Sequence, residues 1–139
     1  MTIREVLVPA LLSAFQDRGL QTVFDGTNLV AEFPAACTEV GKLLIYDDGQ
    51  EATVLIENIT HHHVNPYDET LNTEQRFSWI SREVVEFLNE LFADRVFLWS
   101  IDKGAGGGGW KLPFDGAIPE DACSRADIFV WSRRLRPAG

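Results

Sequence analysis

Cysteine is scarce in this sequence. Only Cys37 and Cys123 are present, far apart and outside any spacing typical of zinc ligands. Two distant thiols exclude the disulfide framework of a small secreted domain. We therefore expect free thiols in a reducing compartment, and thus a cytoplasmic protein.

Long apolar runs are missing as well. A membrane-spanning helix needs about 20 consecutive apolar residues, and no segment approaches that length. The N-terminal stretch MTIREVLVPALLSAF carries Arg4 and Glu5 inside its apolar part, and no small-residue cleavage site follows it. We expect neither a signal peptide nor a membrane partner.

Positive charge is in short supply. The chain has 12 lysines and arginines against 21 acids, a net charge of −9 at pH 7. Nucleic-acid binding draws its affinity from cations that neutralise phosphates, so nucleic acid is disfavoured as a partner. The C-terminal region is the exception, with an Arg-rich tail over residues 133–139. We expect this tail to fold back on the acidic body or to contact an acidic partner.

What is present is the composition of a globular protein. The 139 residues are 45% hydrophobic and 24% charged, without a segment that would serve as a linker between domains. This length is enough for one domain to bury a core. We expect a single domain over residues 1–139.

Two segments have helical periodicity. A capping box formed by Thr2 and Glu5 precedes apolar residues at helical spacing, which predicts a helix over about 3–18. Pro9 either kinks this helix or begins a shorter one. A second apolar stripe, with acidic residues opposite to it, predicts a helix over about 73–93.

Two Asp-Gly pairs, at 25–26 and 48–49, are typical of hairpin turns. Folding the chain about each pair gathers apolar side chains on one face. This predicts a four-stranded antiparallel meander over 20–59 with one buried face. Apolar segments near 95–101 and 127–132 predict two more strands.

The order of these elements predicts an α+β fold, in which an antiparallel sheet carries both helices on one face. The element order and the low isoelectric point resemble those of the small acidic chaperones that escort secreted proteins. That resemblance implies binding of unfolded segments across a sheet and helix surface. The final helix of that family is replaced here by a strand and the Arg-rich tail.

All three histidines stand together in the stretch ITHHHVNPYDE. On a strand, alternate side chains point the same way, so His61 and His63 would present two imidazoles to one metal ion. Zinc takes three or four protein ligands, so further ligands would have to come from Asp68, Glu69 or Glu57, and we take Asp68 as the third candidate. The alternatives are a solvated loop without metal and a histidine that acts as a general base.

The connection over about 102–117 is rich in glycine and predicts a flexible loop. Its backbone amides could cradle a phosphate beside Lys103 and Lys111, although the run does not open a helix as phosphate loops do. A mobile flap with Trp110 at its tip is the other interpretation. The glycines concerned are Gly104, Gly106, Gly107, Gly108 and Gly109.

Aromatic residues alternate along both late strands. Phe97 and Trp99 point to one side of the first strand, and Phe129 and Trp131 to one side of the second. If these strands pair, four rings lie on one sheet face, either as core or as an exposed partner site. With Trp110, the two tryptophans are our candidates for an interaction surface.

No set of residues in the sequence forms a recognisable catalytic group. We therefore expect a non-catalytic interaction domain, chaperone-like or adaptor-like and without a cofactor, that binds another protein or forms a homodimer. The alternative is a metal-binding protein or a small metal-dependent hydrolase. It would use zinc or another divalent ion at His61 and His63.

Overall fold

The computed structural model describes all residues, 1–139, and has an α+β fold. Its two helices are α1 (Ile3–Phe15) and α2 (Thr73–Phe92). Its strands are antiparallel and form two sheets, of five and four strands, where one sheet was expected. Neither helix is long and apolar enough to cross a membrane.

The first sheet is a five-stranded meander whose strands neighbour one another in chain order. It contains one strand more than the sequence predicts, because the histidine stretch pairs as its last strand. Its strands are β1 (Gln21–Thr22), β2 (Leu29–Phe33), β3 (Leu43–Asp47), β4 (Ala52–Ile56) and β5 (Thr60–Val64).

The second sheet has the strand order β7-β6-β8-β9. Two of its strands fall where the sequence predicts a loop and a tail, so both of those boundaries are corrected. Glycine makes the strand in the predicted loop possible, because a Cβ on Gly109 would overlap the ring of Trp99 on the neighbouring strand. The strands are β6 (Phe97–Ile101), β7 (Gly108–Lys111), β8 (Ala126–Val130) and β9 (Arg133–Arg136).

The register of the second sheet corrects the predicted aromatic face. Strands β6 and β8 do pair, but Leu98 lies opposite Phe129, and Trp99 lies opposite Ile128. Phe97 and Trp99 are therefore on one face and Phe129 is on the other. A shift of one residue reverses the face of every side chain, so the predicted strands alone did not decide this.

The chain forms two compact units. The first contains residues Met1–Pro34, Leu43–Leu55 and His62–Phe87. The second contains Ala35–Lys42, Ile56–His61 and Leu88–Gly139. The single domain expected from the chain length stays a prediction.

Helix α1 begins as the sequence predicts. The Thr2 hydroxyl accepts a hydrogen bond from the Glu5 amide at 3.2 Å, and the Glu5 carboxylate accepts one from the Thr2 amide at 3.2 Å. Pro9 lies inside the helix, so the shorter alternative is excluded. One face of the helix is buried at a spacing of four residues, by Ile3, Leu7, Leu11 and Phe15.

Arg4 joins helix α1 to the first sheet. Its guanidinium donates to the backbone carbonyls of Val23, Thr27 (3.1 Å) and Leu29 (3.0 Å). Its amide donates to the Asp47 carboxylate at 3.0 Å. A single cation thereby contacts three carbonyl groups in the loop after β1 and at the start of β2.

The core of the first unit forms between the first sheet and the buried faces of α1 and α2. Phe15 meets Phe33 edge to face, with ring centroids 6.0 Å apart. Burying each such side chain stabilises the fold by about 1.5–3 kcal/mol. The buried residues of α2 in this unit follow the predicted stripe and are Phe77, Ile80, Val84 and Phe87.

We predict that Pro9→Ala stabilises the protein. An interior proline removes one helical hydrogen bond and crowds the carbonyl four residues earlier, at a cost of up to about 3 kcal/mol. Pro9 is exposed, so alanine loses no core contact. Urea unfolding should show a free energy of unfolding higher by about 1–3 kcal/mol.

Pro137→Ala, outside any helix, is the control for this prediction and should change the free energy by less than about 0.5 kcal/mol. An unchanged stability of Pro9→Ala would contradict the expected cost of the proline.

Candidate functional site

Three potential metal ligands converge in the first unit. One ligand atom from each of Asp48, Glu51 and His63 lies within 4.8 Å of the others. The turn between β3 and β4 brings the two acids together, because the Asp48 amide donates to the Glu51 carbonyl at 2.9 Å. Strand β5, which neighbours β4, supplies the histidine.

His63 is hydrogen-bonded at the centre of this group. Its Nδ1 atom lies 2.8 Å from Glu51 Oε2 and 3.0 Å from the hydroxyl oxygen of Thr53. The Thr53 hydroxyl in turn donates to Asp48 Oδ2. The imidazole and both carboxylates are therefore linked through one short network.

Two asparagines hold the carboxylates from outside. Asn28 Nδ2 donates to Asp48 Oδ1 at 2.7 Å, and Asn65 Nδ2 donates to Glu51 Oε1 at 3.4 Å. Hydrogen bonds of this kind orient carboxylate ligands and tune their affinity in metal sites. The group is thus ordered by its surroundings and not only by its own contacts.

The group is open to solvent. The side chain of His63 is 47% exposed and that of Glu51 is 28% exposed. An ion pair with this exposure contributes at most about 1 kcal/mol to stability. The arrangement can therefore hold a cation that arrives from solvent.

The other two histidines are not in this group. His62 is half-buried, and its ring centroid lies 4.9 Å from that of Phe87. Burial lowers the pKa of His62, and the neighbouring His63 lowers it further. His62 therefore acts as a neutral packing residue, and His61 is exposed.

Asp68, the third predicted ligand, has a local role in the structure. Its Oδ1 atom accepts hydrogen bonds from the Thr70 hydroxyl at 2.6 Å and from the Thr70 amide at 3.0 Å. These bonds lower the pKa of Asp68, with a smaller effect from Arg76. Asp68 is not part of the group around His63.

The three tryptophans have different environments. Trp131 is buried against Phe92, with ring centroids 5.6 Å apart. Trp99 is half-buried, 5.8 Å from Phe97 by ring centroids, and lines a cavity of about 320 Å³ in the second unit. Trp110 is half-buried on β7. Of the three, Trp99 lies at a concave surface with apolar neighbours.

The glycine segment does not form a phosphate cradle. The Gly106 amide donates to the Ile101 carbonyl at 2.9 Å, and the Gly107 amide donates to the Gly104 carbonyl at 3.2 Å. Gly108 and Gly109 belong to β7. These amides are used within the fold and do not converge on an anion. The flexibility expected of the segment stays a prediction.

Asp48 and Glu51 are the residues that sequence reasoning missed. Asp48 belongs to the predicted turn at 48–49 and Glu51 follows that turn, whereas the histidines come only after the whole of strand β4. Continuing the predicted meander by one strand would have placed His63 beside β4. The only sign of this strand in the sequence is the alternation in THHHV, and that sign is weak because the alternating residues are not apolar.

No protein family, curated protein or solved structure matches this chain. Its function is therefore inferred from the geometry of its own residues.

We predict that Thr70→Val raises the pKa of Asp68 toward its ordinary value, because the hydroxyl donor that lowers it most is removed. NMR titration of the Asp68 carboxyl carbon measures this. Because the pKa is lowered in the fold, the bond stabilises the protein above the ordinary pKa. That contribution is lost as the pH falls through the folded pKa.

Thr27→Val is the matched control, because Thr27 makes the same pair of hydrogen bonds to Asp25. It should raise the pKa of Asp25 and leave that of Asp68 unchanged. A titration of Asp68 that is the same in wild type and in Thr70→Val would contradict the prediction.

Proposed function

We propose that this protein binds a divalent transition-metal ion through Asp48, Glu51 and His63. The observation that carries the proposal is the convergence of their three ligand atoms within 4.8 Å. Ligands about 2.1 Å from a tetrahedral ion lie about 3.4 Å from one another. Small side-chain rotations are enough to reach that spacing, because His63 and Asp48 are exposed.

The set of donor atoms favours one class of metal. An imidazole nitrogen with two carboxylates suits zinc, manganese, iron, cobalt or nickel. Magnesium and calcium prefer ligand sets made of oxygen atoms alone. Metal binding would replace the contacts of His63 Nδ1 with Glu51 and Thr53, and any proton on the ligand nitrogen would be released, which is the usual coupling of metal binding to proton release.

Three protein ligands leave a coordination position for water or a substrate group. An ion there would act as a Lewis acid, and the hydrolase alternative from the sequence depends on that chemistry. Both carboxylates and the imidazole of the network would be ligands, and the Thr53 hydroxyl is bonded to Asp48, so the network holds no general base for a metal-bound water. The proposal is therefore limited to binding.

The metal proposal is tested on tag-free protein by isothermal titration with Zn²⁺ and by elemental analysis. We expect one ion per chain. His63→Ala and Asp48→Asn should each weaken the affinity by at least about tenfold, since even outer-shell partners of metal ligands contribute tenfold to a hundredfold.

His61→Ala is the matched control, because this histidine lies outside the group. It should leave the affinity within about twofold. Equal losses from His61→Ala and His63→Ala would contradict the assigned ligand set, and the absence of any saturable binding would contradict the proposal itself.

A second candidate function is self-association through the face of the second sheet that carries Phe97 and Trp99. This interpretation is supported by a small buried cluster of Phe97, Ala126 and Ile128, around which larger apolar side chains are only partly covered. Incompletely covered apolar surface is typical of partner sites. We propose that a second copy of the chain covers this surface, with Trp99 at its centre. The partly buried residues are Trp99, Ile101, Phe114, Ile118, Ala122 and Leu135.

We predict that Trp99→Glu shifts a dimer to monomer. A central tryptophan contributes about 2 kcal/mol or more at an interface, so the dissociation constant should rise at least about thirtyfold. Analytical ultracentrifugation measures this dissociation constant, and circular dichroism checks that the variant is folded. Phe24→Glu is the control, since Phe24 is 89% exposed and belongs to the first unit. A wild-type monomer at all concentrations would contradict the prediction.

A further inference from the structure

The second unit contains a cavity of about 530 Å³ whose lining combines charged and polar side chains with apolar ones. Its floor is one face of the second sheet, where Ser100 pairs with Asp127 and Phe129 pairs with Arg134. Pro137 and Ala138 add apolar lining. A cavity of this volume is in the usual range for a small organic ligand. We call it the Lys103 cavity, with Glu39, Ser100, Lys103, Asp127, Phe129 and Arg134 as its defining residues.

One part of the Lys103 cavity has an excess of negative charge. Arg134 Nη1 lies 3.1 Å from Glu39 Oε2 and 3.9 Å from Asp127 Oδ1. The Asp127 oxygen also accepts a hydrogen bond from the Ala138 amide at 2.9 Å. Two carboxylates thus share a single guanidinium, and a ligand with a positive charge would complete the balance.

The Lys103 ammonium supplies the opposite charge. It forms no ion pair or hydrogen bond in the structure, although it lines the cavity. Ser100, 3% exposed, also lines the cavity, and its hydroxyl has no side-chain partner. A cation and a hydroxyl donor without partners favour an anionic group on the ligand.

The backbone holds Lys103 in this position. Asp102 and Lys103 have φ values of 52° and 54°, a left-handed conformation that residues with a Cβ rarely adopt. Gly104 follows, where a Cβ would lie 3.1 Å from the Asn58 carbonyl oxygen and 4.0 Å from Ser100 Oγ. The turn is therefore packed closely against Asn58 and Ser100 at Gly104, the residue that follows Lys103. Unfavourable backbone conformations of this kind concentrate at ligand sites.

We propose that the Lys103 cavity binds a small zwitterion of amino-acid size. Its carboxylate is bound by the Lys103 ammonium and the Ser100 hydroxyl, and its ammonium by the carboxylates of Glu39 and Asp127. The two cations and two anions of the lining balance, so a ligand without net charge but with separated charges fits best. The apolar lining from Phe129 and Pro137 accommodates an apolar side chain. All these residues belong to the second unit, so this site is independent of the proposed metal site.

Isothermal titration with L-phenylalanine tests the proposal, with two analogues that each lack one charge. 3-Phenylpropionate has no ammonium group, and phenethylamine has no carboxylate. We expect saturable binding of one L-phenylalanine per chain and at least about tenfold weaker binding of each analogue, since a hydrogen bond to a charged group is strong enough for that factor. Either analogue binding as tightly as L-phenylalanine would overturn the proposal.

Two variants test which side chain binds which charged group of the ligand. Lys103→Gln should weaken L-phenylalanine binding at least about tenfold and leave phenethylamine binding unchanged, because that analogue has no carboxylate to lose. Glu39→Gln should weaken L-phenylalanine and leave 3-phenylpropionate unchanged. Lys103 and Glu39 are exposed, so neither change disturbs the core.

Lys42→Gln is the control, an exposed lysine of the same unit outside the cavity. It should leave all three affinities unchanged. If Lys42→Gln weakened binding as much as Lys103→Gln, binding would depend on the overall charge of the protein, and the proposed site would be overturned. The absence of heat and of amide chemical-shift changes at about 10 mM L-phenylalanine, well above the concentration at which a weak site fills, would overturn it as well.

Discussion

Side chains alternate across an antiparallel sheet, so the register of each strand pair decides which residues meet. In the second sheet, the pairing of Leu98 with Phe129 sends Ser100 and Asp127 to the cavity face. The same register sends Trp99 to the opposite face, beside Ile128. One hydrogen-bond ladder therefore separates a polar ligand surface from an apolar one. A slip of one residue would exchange the two surfaces.

The same alternation gives adjacent histidines different chemistry. His63 faces Glu51 and remains accessible to solvent, while His62 packs against Phe87 and is held neutral by burial. The His62 ring is occupied by its contact with Phe87, whereas the His63 ring is open to a cation from solvent. Position on the strand, and not residue type, separates these roles.

Two pairs of carboxylates lie close to polar and cationic partners. Asn28 and Thr53 donate hydrogen bonds to Asp48, and Asn65 donates one to Glu51. Glu39 and Asp127 share a single guanidinium, that of Arg134. Each pair of carboxylates is held by fewer cations than would neutralise it. A surface arranged in this way attracts small cations or cationic groups.

The sequence by itself determined the helices and most strands, because capping, apolar periodicity and Asp-Gly turns act over a few residues. Helix α1 began at its Thr2 box, and α2 ended within a residue of the prediction. It did not determine that β5 joins the meander, or that β7 and β9 exist, because Gly108 and Arg133 have little strand preference. Each of those strands pairs with the strand before it, β4, β6 or β8, and that pairing is not visible in the residues of the strand itself. Only the tertiary structure decided that His63 meets Asp48 and Glu51, since strand pairing and register place them there.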